Sequence, residues 1–190
     1  MTLHLVRADH VPPQAWRNGG GTTRELLCWP STLDCALRVS VADITRDGPF
    51  SSFPGIERWF AVIEGTGVAL GFGSSETPVR AGDPPLRFDG ATAPACRLLA
   101  GPTRDLNLML RGGEGALLIA EAGNDWKAPF TLRGLFTAGP GRWSGDGEIR
   151  TLNALSLLWS DSASSAAWSF TPDDPGTRAW WLGFTPENQP

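Results

Sequence analysis

Residues 16–26, WRNGGGTTREL, concentrate groups that could bind a ligand on one short stretch of chain. The three central glycines leave the backbone free to adopt positive φ and to approach a ligand closely. Around them stand an indole, an amide, two hydroxyls, two guanidinium groups and a carboxylate. The segment lacks the lysine of a phosphate-binding P-loop, and the chain around it predicts strands, not a helix N-terminus. We therefore interpret it as a loop and strand that close one end of a pocket.

Two further segments combine rigid turns with polar side chains. Residues 47–58, DGPFSSFPGIER, contain two prolines and two glycines that fix a loop, and two phenylalanines that supply apolar walls. Residues 101–107, GPTRDLN, form a turn that enters a strand. Small-molecule pockets combine apolar lining with a few placed polar groups, which these segments supply. The alternative for residues 47–58 is an ordered connector whose phenylalanines plug the end of a barrel.

The elements that must position these groups are short strands. Apolar runs alternate with turn signals at short intervals, and no long stretch has the spacing of an amphipathic helix. This pattern predicts an all-β barrel or sandwich. We expect strands at residues 3–7, 23–29, 36–44, 58–64, 67–72, 86–88, 96–100, 106–111, 116–121, 152–159, 167–170 and 179–184.

Two stretches alternate between apolar and polar side chains. Odd positions are apolar along residues 33–41, and even positions are leucines along residues 105–111. Because successive side chains of a strand point to opposite faces, each polar set shares one face. The polar faces could meet solvent. If they line a barrel lumen instead, one cavity collects Arg38, Ser40, Asp105 and Asn107.

Composition excludes several classes of function. The net charge of −4 gives no basic field for nucleic acid. The two histidines, His4 and His10, cannot build a three-histidine zinc site or an HExxH motif. No run of about 18 apolar residues predicts a membrane span.

The expected compartment is the cytoplasm. The N-terminal residues contain no apolar signal-peptide core. The three cysteines, Cys28, Cys35 and Cys96, match no metal or redox spacing. Both observations favour a reducing environment, in which disulfides are rare.

Three sets of motifs resemble those of the HutD/Ves family, in order along residues 1–112. They are WRNGGGTTREL, then RVSVADI with DGPFSSFPGIER and EGTG, then GPTRDLNLM. The resemblance implies a bacterial protein associated with histidine utilisation. It also implies an all-β, cupin-like (RmlC-type) β-barrel built of two packed cupin-type units, a bicupin. Residues 1–112 would form the N-terminal cupin-like unit that carries the motifs. Residues 113–190 would form a C-terminal β-rich unit packed on it as one compact domain.

The leading hypothesis is a metal-free protein that binds a small carboxylate in a regulatory role. Cupins often hold a metal through three histidines and a glutamate, but the matching strands contain no histidine, so we predict no metal and no cofactor. The resemblance points to the histidine-degradation intermediates urocanate, formiminoglutamate and formylglutamate, whose carboxylates suit a bidentate arginine. Arg38 is the first choice for that arginine, followed by Arg58 and Arg24.

The complete predicted ligand-binding set comes from all three segments and both alternating strands. It consists of Trp16, Asn18, Thr22, Thr23, Arg38, Ser40, Phe50, Phe53, Arg58, Asp105 and Asn107. The expected partner is a small anionic metabolite, with no nucleic acid and no membrane, and a homodimer is left open.

Two other functions remain as alternatives, although the sequence favours binding over catalysis. A cupin-fold isomerase or hydrolase would use Asp105 or Glu25 as its acid or base, with a raised pKa. Asp105 paired with an arginine is the competing interpretation of that residue. A carbohydrate-binding module is suggested by nine tryptophans on a β-rich scaffold. The neighbours Trp180 and Trp181 would point to opposite faces of a strand, which assigns at least one of them to the core.

Overall fold

The computed structural model describes residues 2–162 and 164–187. Within them the chain forms eighteen strands and one short 3-10 helix, Ala8–His10. The all-β prediction is therefore confirmed. No helix in this part of the chain has the length and apolarity needed to cross a membrane.

The chain divides into two compact units. The N-terminal unit is Val11–Gly112, and the C-terminal unit combines Met1–His10 with Gly113–Pro190. The sequence prediction placed the first ten residues in the N-terminal unit. The structure differs because strand β1, His4–Arg7, pairs antiparallel with Ser156–Ser160. A pairing between two segments so far apart in the sequence leaves no local signal.

The N-terminal unit consists of two antiparallel sheets. Its strands are β2 (Gln14–Ala15), β3 (Gly21–Pro30), β4 (Cys35–Ile44), β5 (Gly48–Pro49), β6 (Glu57–Glu64), β7 (Val68–Phe72), β8 (Ser75–Val79), β9 (Leu86–Asp89), β10 (Ala95–Leu98) and β11 (Thr103–Leu110). The larger sheet has the order β2-β3-β4-β11-β6-β9, and the smaller has the order β5-β10-β7-β8. Strands β4 and β11 therefore lie at the centre of the larger sheet.

Apolar side chains from both sheets form the core of the N-terminal unit. The cluster consists of Ile44, Phe50, Phe60, Val62, Val68, Leu70, Val79 and Cys96, all buried. Burying a large apolar side chain contributes about 1.5–3 kcal/mol, so this cluster fixes how the two sheets pack. The cluster also determines the positions of the polar side chains that lie on the same strand faces as the core residues.

The C-terminal unit has a core of aromatic side chains. Besides β1 it contains β12 (Glu114–Ile119), β13 (Leu132–Thr137), β14 (Gly141–Gly145), β15 (Glu148–Leu152), β16 (Ser156–Ser160), β17 (Trp168–Pro172) and β18 (Ala179–Thr185). The strand predicted over residues 152–159 is interrupted by a turn in which Leu155 has a φ of 54°. Trp143, Trp168 and Trp181 pack in one buried cluster.

The tryptophans belong mostly to packing. Trp180 and Trp181 are 2% and 3% exposed, so both neighbours are core residues. None of the nine tryptophans, all of which lie in the described part of the chain, is classed as exposed. The indole faces of Trp143, Trp168, Trp180 and Trp181 are therefore buried in the protein and cannot stack on a sugar.

Candidate ligand-binding pocket

A pocket of about 490 Å³ opens on one face of the six-stranded sheet, within the N-terminal unit. This volume falls in the range of small-molecule sites. Ten of the eleven residues predicted to bind a ligand line it: Trp16, Asn18, Thr23, Arg38, Ser40, Phe50, Phe53, Arg58, Asp105 and Asn107. The sequence segments that carry them are far apart in the chain but meet at this face.

Strand register explains why the polar residues meet. Asn107 lies opposite Ser40, and Met109 lies opposite Arg38 on β4. On the other side of β11, Met109 lies opposite Arg58 of β6. Opposite residues of paired strands point to the same face, so these side chains share the floor of the pocket.

The eleventh predicted residue, Thr22, is not among the residues that line the pocket. It precedes Thr23 on β3, and strand alternation turns its side chain toward the opposite face. The sequence prediction also missed seven lining residues: Gln14, Ala15, Arg17, Ala42, Pro49, Ser51 and Met109. Ala42 and Met109 continue the polar faces of β4 and β11 by two residues, and that spacing could have identified them.

Arg58 is a buried cation with unused hydrogen-bond donors. Its side chain is 6% exposed, and its Nη2 donates to Oδ1 of Asn107 at 2.9 Å. Among the described residues, its Nε and Nη1 have no hydrogen-bond partner. The guanidinium carbon lies 5.1 Å from the ring centres of both Phe50 and Phe88 and 5.6 Å from that of Phe53. Burial lowers the pKa of Arg58 to about 10.

Asp105 is buried at the other end of the same hydrogen-bonded row. It is 1% exposed, and its Oδ2 accepts a hydrogen bond from Nδ2 of Asn107. Its Oδ1 has no partner within residues 2–162 and 164–187. The expectation of a direct pair with an arginine is wrong, because Asn107 stands between Asp105 and Arg58. Burial raises the pKa of Asp105 to about 8, which the Asn107 hydrogen bond and the Arg58 charge only partly oppose.

The side chain of Arg38 already has a carboxylate partner. Its Nε donates to Oε2 of Glu25 at 2.7 Å, and its Nη1 approaches Sδ of Met109 at 3.6 Å. Both members of the ion pair are about one-third exposed. Arg38 therefore lines the pocket as a half-buried cation, and its charge is offset by Glu25, which is not among the lining residues.

Arg24 points away from the pocket. Its Nη1 donates to Oδ2 of Asp43 at 2.8 Å, and Asp43 also pairs with Arg104 at 2.7 Å. Of the three arginines considered from sequence, only Arg58 combines burial, the pocket lining and unpartnered donors. As the arginine to pair with a ligand carboxylate, Arg58 is therefore preferred over Arg38. Arg24 is no longer a candidate.

The glycine-rich segment closes the rim of the pocket. Nε1 of Trp16 donates to Oγ1 of Thr23 at 2.7 Å, and the backbone N–H of Gly20 donates to Oδ1 of Asn18 at 3.0 Å. A Cβ on Gly21 would lie 2.2 Å from the carbonyl oxygen of Asp43, so only glycine fits where β3 meets β4. The glycines hold the loop against the sheet and so place the Trp16 ring in the pocket wall.

A disulfide joins Cys28 of β3 to Cys35 of β4, with a Cα–Cα distance of 5.3 Å. The sequence analysis, which found no metal or redox spacing among the cysteines, did not predict this crosslink. The signal was missed because the two cysteines meet across a hairpin and not in a local motif. Cys28 lies opposite Arg38 in the strand register, so the crosslink closes the hairpin that carries Arg38.

The pocket residues do not fit a histidine-ligated metal. Within the described residues, no group of three or more His, Cys, Asp or Glu side chains could hold a metal ion. His4 stacks on Trp159 at a ring-centre distance of 4.2 Å, and both histidines belong to the C-terminal unit. The polar groups of the pocket are instead three guanidiniums (Arg17, Arg38 and Arg58), three amides, hydroxyls and the buried carboxyl of Asp105.

Comparison with known families and sequences gives a consistent result. The model of the HutD family matches residues 8–173. The chain is 39% identical over 103 residues to Protein Ves of Citrobacter koseri, covering 53% of this chain and 54% of that protein. It is 38% identical over 110 residues to a Pseudomonas putida protein described as an uncharacterized 21.2 kDa protein in the hutC 3′ region, covering 56% and 57%. The matches span little more than half the length of these curated relatives.

Solved structures match over nearly the whole chain. A conserved protein of unknown function from Pseudomonas aeruginosa PAO1 is similar with a TM-score of 0.87 and 30% identity, over 97% of this chain and 100% of that one. HutD from Pseudomonas fluorescens SBW25, in a formate condition, has a TM-score of 0.85 and 26% identity, over 98% and 100%. Oxalate decarboxylase of Bacillus subtilis, at 10% identity over 98% of this chain and 78% of that one, has a TM-score of 0.65 and shows the cupin-like fold alone.

Proposed function

Since this chain belongs to the HutD family, which confirms the resemblance seen in its motifs, we propose that its N-terminal unit binds a small carboxylate. Three points are proposed together: which carboxylate binds, which residues bind it, and that binding has a regulatory role. In this role the protein binds a metabolite without converting it. The division into two cupin-type units stays a prediction.

The observation that carries the proposal is the unsatisfied guanidinium of Arg58 in the pocket. Two of its nitrogens are buried without a hydrogen-bond partner among the described residues, and the third donates to the amide oxygen of Asn107. The hydrogen bond to Asn107 and the three phenylalanine rings compensate the buried charge only in part, so a ligand that supplies the missing hydrogen-bond acceptors would stabilise it. A carboxylate matches the fork of a guanidinium through two parallel hydrogen bonds.

The names of the relatives favour carboxylates from histidine breakdown. One relative is called HutD and was studied in a formate condition, and another lies beside hutC. Formylglutamate, formiminoglutamate and urocanate all carry carboxylates, and the first two are acylated glutamates. Their carboxylates can pair with Arg58, while Asn18, Thr23 and Ser40 offer hydrogen bonds to the remaining polar groups. The rings of Trp16, Phe50 and Phe53 would exclude water from the bound molecule.

One observation favours an enzyme as the second candidate. Asp105 lines the pocket, and a carboxyl whose pKa is raised to about 8 can donate a proton near neutral pH. Asp105 is therefore the acid to test for an isomerase or hydrolase. Glu25 is less suited to that role, because it is held in an ion pair with Arg38.

A thermal-shift screen of the full chain tests the proposal. Urocanate, formiminoglutamate, formylglutamate, glutamate and simple sugars are each added at millimolar concentration. A ligand at 100 times its Kd stabilises the folded state by about 2.7 kcal/mol, which raises the melting temperature by several degrees at roughly 2–4 °C per kcal/mol. We expect such a shift with at least one acylated glutamate or urocanate. A shift with sugars alone would contradict the proposal. Product in the same mixtures, lost in Asp105→Asn, would favour the enzyme.

A further inference from the structure

We infer that Asp105 meets the ligand as a neutral carboxylic acid, so that the pocket takes up an anionic head group only while a proton sits on Oδ1 of this residue. The inference rests on the proposed function, because it concerns the same pocket. It adds a specificity-determining residue and restricts the ligand to head groups that accept hydrogen bonds and donate none.

The direction of the hydrogen bonds in the row Arg58–Asn107–Asp105 is fixed by chemistry. A guanidinium can only donate, so the amide of Asn107 must turn its oxygen toward Arg58, and its nitrogen then faces Asp105. The Asn107 nitrogen can only donate, so Oδ2 of Asp105 must accept. A proton bound to this carboxyl therefore sits on Oδ1, the oxygen without a partner among the described residues.

The row thus carries unpartnered polar groups at both ends, on two residues that line the pocket. Arg58 contributes the N–H groups on Nε and Nη1, and protonated Asp105 contributes the O–H on Oδ1. Both residues line the pocket, and they are 6% and 1% exposed. A carboxylate satisfies such donors, whereas an ammonium group would leave them unsatisfied and add a second positive charge beside Arg58.

The charges around Asp105 explain why anion and proton bind together. Arg58 on β6 favours the ionised carboxyl, while Asp43 on β4 and burial oppose it. The thiol of Cys96 on β10 stays neutral, because burial and the charges of Asp105 and Asp47 raise its pKa to about 12.

With Asp105 protonated, the row Arg58–Asn107–Asp105 as a whole carries the positive charge of Arg58. An anion is attracted to this net charge. The pair of Arg38 and Glu25 adds no net charge to the pocket. With Asp105 ionised, the same anion would meet a buried like charge across a short distance of low dielectric.

The decisive variant is Asp105→Asn, which imitates the protonated acid. Its amide oxygen can accept from Asn107, and its NH2 then donates from the position of Oδ1 at every pH. The dissociation constant of formylglutamate is measured by calorimetry for the wild type and for the variant at pH 7 and pH 9. For a proton with a pKa of about 8, the wild-type affinity falls about tenfold between the two values. The ratio for the variant stays close to one.

A second measurement does not depend on the variant. The calorimetric titration of the wild type at pH 8 is repeated in buffers of different ionisation enthalpy. Binding takes up about half a proton if the acid with a pKa of about 8 must be protonated in the complex. Zero uptake would overturn the inference.

The outcomes separate this inference from the proposed function. Equal wild-type affinity at pH 7 and pH 9 overturns the proton requirement and leaves carboxylate binding intact. A tenfold loss of affinity between pH 7 and pH 9 that persists in Asp105→Asn assigns the titration to another group. This result also overturns the inference about Asp105. If formylglutamate, formiminoglutamate and urocanate all fail to bind to both folded proteins at both pH values, the inference and the proposed function are overturned together.

Discussion

Asn107 accepts a hydrogen bond of 2.9 Å from Nη2 of Arg58 at the floor of the pocket. The two residues are diagonal neighbours on one face of paired strands, since Met109 is the residue directly opposite Arg58. The same Asn107 donates to Asp105, so one amide bonds to both buried ionisable groups. Removing it should disturb both of them.

The first prediction concerns this amide. Asn107→Ala leaves Nη2 of Arg58 and Oδ2 of Asp105 without their present partners, and each buried unsatisfied group costs about 1–3 kcal/mol. We expect the free energy of unfolding, measured in urea, to fall by about 2–4 kcal/mol. Asn124→Ala is the matched control, because Asn124 is exposed and bonds only to Glu121 among its described contacts. The control should stay within about 0.5 kcal/mol of the wild type. Equal losses in both variants would refute a structural role for the row.

The second prediction concerns the acidic partner of Arg38. Glu25→Gln removes the negative charge that offsets the pocket residue Arg38 but keeps an acceptor for Nε of Arg38. We expect formylglutamate to bind about fivefold more tightly, since one fewer like charge is worth about 1 kcal/mol. Calorimetry at low ionic strength measures the change, which added salt should diminish. The control is Glu64→Gln. Glu64 is a partner of Arg104 and does not line the pocket. Weaker binding by Glu25→Gln would show that Glu25 contacts the ligand favourably.

The third prediction concerns pH and stability. The pKa of Asp105 is about 8 in the folded protein and about 3.9 in an unfolded chain. The folded state therefore holds a proton that the unfolded state releases between these values. The contribution of this proton to the free energy of unfolding is fully present below about pH 4 and is lost as the pH rises through about 8.

Asp105→Asn has no such proton. Relative to the wild type, its free energy of unfolding should rise by about 1.4 kcal/mol per pH unit between pH 5 and pH 7. Urea unfolding of both proteins at pH 5, 6 and 7 measures this difference. A difference that does not change with pH would mean that Asp105 is ionised in the folded protein.

The fourth prediction concerns the crosslink between Cys28 and Cys35, which closes a loop with a sequence separation of 7. By loop-closure entropy, a disulfide of this span stabilises the folded state by about 2 kcal/mol. A reductant should lower the melting temperature by roughly 4–8 °C. The double variant Cys28→Ser/Cys35→Ser should melt at the reduced temperature and show no further response. Cys96→Ala should keep the response to reductant, because Cys96 is a free thiol. A wild-type melting temperature indifferent to reductant would contradict this role.

Strand alternation made much of the pocket predictable. The period of two along β4 and β11 predicts the shared faces on which Arg38, Ser40, Asp105 and Asn107 lie. The same rule identifies Thr22 as the residue on the wrong face of β3. Local patterns carry this information because side-chain direction depends on the backbone alone.

Partner choice was not predictable in the same way. The sequence contains no sign that Arg38 pairs with Glu25 while Arg58 keeps unused donors, because both facts depend on contacts between strands. In the C-terminal unit, β13 was missed because Arg133 and Gly134 interrupt its apolar pattern. Arg133 is nevertheless 1% exposed, with its charge compensated by the carbonyl of Ala166 and by Asp146. Long-range compensation of a buried charge leaves no periodic signal.

The fifth prediction tests the central claim that Arg58 is kept for a ligand. Arg58→Met fills similar space among Phe50, Phe53 and Phe88 and removes a buried charge whose desolvation is not fully compensated. The variant also leaves Oδ1 of Asn107 without its donor, and because these two effects oppose each other the free variant should melt close to the wild-type temperature. Arg24→Met, on the same sheet but outside the pocket lining, is the matched control.

The most direct measurement is the thermal shift produced by formylglutamate in the wild type, Arg58→Met and Arg24→Met. We expect a shift of several degrees in the wild type and in Arg24→Met, and no shift in a fully folded Arg58→Met. An undiminished shift in Arg58→Met would contradict the claim that this buried guanidinium binds the carboxylate.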